Sequence, residues 1–130
     1  MVQIIEIIAA VIAALIMAGM TIFQSLLVLG FPYGNMAWGG KHKILPKNLR
    51  IGSLVSVFVF IYAFVCVLER AGFLFIINND TLIMISLWCC VVIFSLSTLG
   101  NITSKSNTEK KIMTPVAVSL TICCAVLAIL

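Results

Sequence analysis

The sequence predicts an all-α integral membrane protein, a four-helix bundle with spans near residues 3–29, 51–68, 82–99 and 113–130. Three observations predict it. The 130 residues are 63% hydrophobic and only 9% charged, against about 25% charged in an ordinary soluble domain, so the chain cannot clothe itself in a wetted surface. Its apolar residues fall into four runs, each near the roughly 20 residues that cross a bilayer. Its polar and charged residues collect between those runs. Little chain is left over, so residues 1–130 are expected to form a single domain. The first run has no Lys or Arg before it and is too long for the apolar core of a signal peptide, so it is expected to remain as a span.

Span one, Gln3 to Leu29, exceeds what a perpendicular helix needs and predicts tilt or an end outside the hydrocarbon. Ala10, Ala14 and Ala18 recur at every fourth residue and predict a smooth face for close helix approach. Glu6 has two readings. It sits at headgroup level and complements the positive helix end, or it is a proton or cation site like the span-one Glu of small drug exporters. Its shallow position favours the first. Thr21, Gln24 and Ser25 add hydrogen-bonding groups toward the far end.

Residues 31–50 form the longest stretch that is not plainly a span. They hold the only His (His42), two of the three Pro, Trp38, and the basic residues Lys41, Lys43, Lys47 and Arg50. Gly30, Pro32 and Gly34 end the first helix, because Pro lacks a donor and Gly permits left-handed turns. Pro46 biases Leu45 away from helix, so span two is expected to start near Leu49 or Arg50. Gly52, Ser53 and Ser56 give it a small, polar opening face. Glu69-Arg70-Ala71-Gly72 reads as a turn, and Phe73 to Ile77 as a short apolar piece at the interface. Asn78-Asn79-Asp80 supplies N-cap chemistry for span three. Ser106-Asn107-Thr108-Glu109 fits a capping box. Thr114-Pro115 then either opens span four or lies inside a longer helix.

Charge sets the expected topology. Lys41, Lys43, Lys47 and Arg50 precede span two, and Lys105, Lys110 and Lys111 precede span four; the middle loop has only Arg70. The positive-inside rule places loops 30–50 and 100–112 in the cytoplasm, with both termini outside the cytoplasmic membrane. The net charge of +4 thus bears on topology and lipid contact. Without an aromatic-interleaved basic groove, nucleic acid is not an expected partner. The lipid bilayer is, together with a second copy of the chain or another membrane protein.

The stretch Pro32-x-Gly34-x-x-Ala37-Trp38-Gly39-Gly40-x-His42-x-x-Leu45-Pro46-x-x-Leu49-Arg50-x-x-Ser53 resembles a family of small, uncharacterised four-helix membrane proteins of bacteria. Residues Glu109 to Val118, basic and then Met-x-Pro-Val, look like that family's approach to its last helix. The resemblance implies a bacterial origin, a four-span fold and a loop under functional constraint. It implies no catalytic or binding residue.

Two constellations bear on chemistry. Trp38, His42, Lys43 and Arg50, with Gln24 and Ser53 below them, form a candidate ligand site. His titrates near neutrality, and Arg beside a helix start suits a phosphate or carboxylate. The simpler reading is a basic loop that fixes topology, with Trp38 as interfacial anchor. Cys89-Cys90 and Cys123-Cys124 lie at similar depth in antiparallel spans. They read either as a soft-metal thiol relay, as in mercury-uptake proteins, or as small buried hydrophobes. Neighbours on a helix point ~100° apart, so at most one Cys of each pair is expected to face the other helix. No hydrolase, protease or nucleotide-binding motif is present, and no charge falls at the centre of a span. No enzyme activity, no cofactor and no metal are expected. The leading expectation is an accessory or interaction subunit. The alternative is a transporter or ligand-binding protein with a cytoplasmic-side anion, lipid-headgroup or ion site in loop 31–50. The two part on whether that loop folds into the bundle, with Trp38 and His42 facing Gln24 and Ser56, or lies flat on the membrane.

Overall fold

A computed structural model describes all residues, Met1–Leu130. Four helices account for most of the chain: α1 (Val2–Val28), α2 (Lys47–Arg70), α3 (Asp80–Ile102) and α4 (Asn107–Ile129). All four are long and apolar enough to cross a membrane. At 27 residues α1 is the longest, about 40 Å at 1.5 Å per residue. Most of the large side chains left exposed are aliphatic or aromatic, the surface expected of helices solvated by lipid rather than water.

Three of the four helices overrun their predicted spans, because caps and polar first turns lie outside the hydrocarbon that hydropathy detects. Helix α2 begins at Lys47, directly after Pro46, rather than at Leu49 or Arg50. Glu69 and Arg70 are its last turn and not part of the following loop. Asn79 caps α3 by accepting the Leu82 N–H at 3.0 Å. Helix α4 starts six residues before its predicted span, with the Ser106 hydroxyl accepting the Glu109 N–H at 3.3 Å. Pro115 therefore lies inside α4, where it withholds an N–H from the carbonyl of exposed Lys111.

The helices run round the bundle in chain order. Helix α1 packs against α2 and α4, α3 packs closely against α4, and the α2–α3 seam is thinner. The main core lies toward the termini and gathers Ala9, Ala10, Ala13, Ala14 and Met17 of α1 with Val67, Leu87, Leu120 and Leu127 from the other helices. The expected Ala10, Ala14, Ala18 face is thus corrected: Ala18 is exposed and Met17 takes its place. At 3.6 residues per turn, eight residues overshoot two turns by about 80°, and seven fall short by about 20°.

The end of the bundle that carries the termini is tied by Arg70 and Glu69. Arg70 Nε donates to the Leu127 carbonyl at 3.0 Å, one of the last carbonyls of α4 that no helical N–H reaches. Its guanidinium also lies 3.9 Å from the Glu6 carboxylate. The buried Glu69 carboxylate accepts the N–H groups of Ile76, Ile77 and Asn78 at 3.1, 2.8 and 2.6 Å. It thereby fixes the turn whose Phe73, Phe75 and Ile76 side chains stand exposed.

Candidate ligand cavity beneath the 31–46 loop

Residues 31–46 fold back over the opposite end of the bundle as two single 3-10 turns, Gly34–Met36 and Trp38–Gly40. Beneath them a small second core joins Leu27, Ala37 and Leu45, flanked by Phe23 and Leu49. Gly34 sits where no Cβ fits, because the carbonyl of His42 closes on it. The Gly34 N–H donates to the Lys43 carbonyl at 2.8 Å, pinning the loop to itself.

Three hydrogen bonds fasten residues 35–39 of this loop to the helices. The Trp38 indole N–H donates to the hydroxyl of fully buried Ser53 at 3.0 Å. The Gly39 N–H donates to Glu109 Oε2 at 3.0 Å. The Ser106 hydroxyl donates to the Asn35 carbonyl at 2.6 Å. To reach these partners, Trp38, Gly39 and Gly40 take positive φ of 52°, 81° and 74° in succession. For Trp this left-handed backbone costs about 1–2 kcal/mol, offset by the bond to Ser53 and by the ring's seat on Gly52, where a Cβ would come within 2.8 Å of two ring carbons.

Between the two cores, under this loop, lies a cavity of about 490 Å³, within the usual range for small-molecule sites. Trp38, Gly39, Met36 and Ala37 form its roof. Phe60 of α2 and Phe94 of α3, stacked at 5.8 Å, belong to its apolar floor. Of its 20 lining residues 13 are hydrophobic, so the few polar groups decide what it holds. They include Gln24, Ser56, Asn101 and Glu109. Gln24 Oε1 is buried without a partner, an arrangement native interiors avoid. Asn101 gives an amide hydrogen to the Met113 carbonyl at 3.2 Å, which leaves its own oxygen free. Glu109 is 5% exposed and its carboxylate has no basic partner, since the only ion pair in the chain joins Arg70 and Glu6.

The six residues singled out from the sequence separate into three groups. Trp38 and Gln24 line the cavity, and Ser53 holds Trp38 in place. Arg50 braces the loop: its Nε donates to the Leu45 carbonyl at 2.9 Å, and the guanidinium lies against Gly30. His42 and Lys43 are exposed and do not line the cavity, so Trp38 shares it with Gln24 and Ser56 but His42 does not. Sequence reasoning did not find Glu109 or Asn101 as cavity residues. The capping-box pattern marked Glu109, but in that motif the carboxylate returns to the Ser106 N–H. Here the Ser104 hydroxyl takes that N–H at 3.1 Å, and Glu109 turns to Gly39 instead.

The cysteines divide by helix. Cys90 is buried and Cys89 exposed, whereas Cys123 and Cys124 are both buried, and all five are free thiols. Cys90 of α3 and Cys124 of α4 both belong to the main core. No group of three His, Cys, Asp or Glu side chains is placed to hold a metal ion. Comparisons with family models, with curated proteins and with solved structures find no match to this chain.

Proposed function

We propose that this multi-pass protein binds a small molecule within the membrane, in the cavity roofed by residues 36–39. One observation carries the reading. A loop fastened to α2 and α4 by side-chain hydrogen bonds roofs a cavity whose lining includes the buried carboxylate of Glu109, which has no basic partner in the chain. Buried polar groups normally find partners, and a bound molecule supplies what the chain does not. Sequence considerations alone favour an accessory subunit, but such a subunit has no need of a cavity beneath a fastened loop. In this reading the resemblance of residues 32–53 to a bacterial membrane family marks the roof and its fastenings: Ala37, Trp38 and Gly39 line the cavity, and Leu45, Arg50 and Ser53 hold the loop. The orientation proposed from charge puts this end of the bundle on the cytoplasmic face of the cytoplasmic membrane.

Native mass spectrometry of the protein extracted gently from its own membrane tests the reading. The expected result is a retained small-molecule mass on the wild type that Ser97→Trp, which fills the cavity from an exposed position on α3, removes. A wild type that carries no added mass, or is recovered with a second polypeptide, returns the accessory subunit to first place.

A further inference from the structure

We infer that the cavity selects an organic monocation, a protonated amine on an apolar or aromatic body, with Glu109 as its counter-charge; this rests on the ligand-binding reading above. The argument begins with the carboxylate. Glu109 is buried, lines the cavity, and receives a hydrogen bond from the Gly39 N–H on Oε2. No Lys, Arg or His lies within ion-pair distance of it. A buried ionised carboxylate is costly unless paired, so a cation in the cavity gains more here than it would from any neutral group.

The remaining lining fits the same ligand. The Asn101 side-chain oxygen accepts no hydrogen bond within the chain, and Gln24 and Ser56 add polar groups to the lining; an ammonium group brings only donors. Phe23, Phe60 and Phe94 add aromatic surface, and ring faces attract cations further. An inorganic cation is the weaker fit. Calcium takes six to eight oxygens and magnesium near-octahedral geometry, whereas this lining is predominantly hydrophobic. An anion is disfavoured by the carboxylate and by the absence of any basic side chain from the lining.

The route follows from charge. The outer face of the loop presents exposed Lys41, Lys43 and Lys47, which repel a cation arriving from solution. The α2–α3 seam is apolar, and a second hollow opens there on the outside of the bundle, lined by Val55, Phe58 and Ile85 among others. Val59 and Ile93 belong to the walls of both hollows. An amphiphile dissolved in the bilayer therefore has a route to the cavity past these two shared wall residues.

The test uses the full chain in phosphatidylcholine nanodiscs, with empty nanodiscs as blank. Three probes share one phenylbutyl body: 4-phenylbutylamine, 4-phenylbutanol and 4-phenylbutyrate. Trp38 emission, in a Trp88→Phe background, reports occupancy. The amine is expected to saturate and to bind about tenfold or more tighter than the alcohol, with the acid weakest. Glu109→Gln keeps an acceptor for the Gly39 N–H and removes the charge; it should bring the amine level with the alcohol. Glu109→Asp should retain the order. Equal affinities in the wild type, or an amine preference that survives Glu109→Gln, overturns the cation inference and leaves the cavity as a binding site. No saturable response to any of the three overturns both. The wild-type ranking decides the question even where the variants do not fold.

Discussion

Gly39 and Glu109, 70 residues apart in the chain, are joined by a 3.0 Å hydrogen bond from the Gly39 N–H to the Glu109 carboxylate. The bond links the roof of the cavity to the first turn of α4. It also makes one side chain serve two ends, because the same carboxyl group is the acidic group of the cavity lining. Roof position and cavity charge are therefore coupled. Any ligand that draws on Glu109 competes with, or is shared with, the amide that holds the loop down.

Removing the acceptor should loosen the roof. Glu109→Ala is expected to speed hydrogen exchange at amides 37–40 while leaving the amides of α1 and α3 unchanged. Glu109→Gln, which still offers an oxygen to Gly39, should stay close to the wild type. A uniform acceleration throughout the bundle would mean that Glu109 serves global packing instead. Local opening of this kind draws on few buried contacts and shows as raised exchange confined to the segment.

The seat of Trp38 gives a second prediction. Gly52→Ala places a methyl group within 2.8 Å of the indole ring. Trp38 is 44% exposed, so the displaced ring is expected to turn outward. Ser53, fully buried, then loses the donor that its hydroxyl accepts. The expected cost is about 1–2 kcal/mol, with a red shift of Trp38 emission in a Trp88→Phe background. Gly52→Ala with unshifted emission would show that the indole does not depend on this seat.

Why the sequence disclosed the bundle but not the cavity follows from these same residues. Four apolar runs and the punctuation around Pro32, Pro46 and Asn79 are local signals, and a helix forms on each run, with ends that reach up to six residues beyond it. Ser106 as the cap of α4 is local too. The destination of the Glu109 carboxylate is not, because it depends on where a loop 70 residues earlier comes to rest. That resting place depends in turn on three consecutive left-handed residues, one of them Trp38, a conformation no propensity assigns to Trp. Arg50 shows the converse. Its position at a helix start suggested an anion site, but its Nε is committed to the Leu45 carbonyl, so it shapes the loop.

At the other end of the bundle, Glu69 should matter for stability and not for ligand. Its carboxylate takes three backbone N–H groups from residues 76–78. Glu69→Ala leaves all three without an acceptor and should lower the thermal midpoint clearly. Glu69→Gln, with one oxygen in place of two and an amide that donates where an acceptor is needed, should fall between. Phenylbutylamine binding should survive both. A loss of binding without a loss of stability would show that this end also communicates with the cavity.

The α2–α3 seam separates a bilayer route from an aqueous one. Ile93 is half-exposed and lines both the cavity and the outer hollow. Ile93→Trp should narrow the passage and slow phenylbutylamine association by on the order of tenfold, with a smaller change in affinity because the cavity groups remain. Ile93→Ala should speed it. Replacing Lys41 and Lys43 with Gln, which weakens the repulsion at the loop, should leave the rate unchanged if the amine arrives from lipid. The opposite pattern, with rates indifferent to residue 93 and faster after loss of the two lysines, would place the route at the loop. It would also make the Gly39–Glu109 bond, rather than the Val59–Ile93 pair, the barrier a ligand must open.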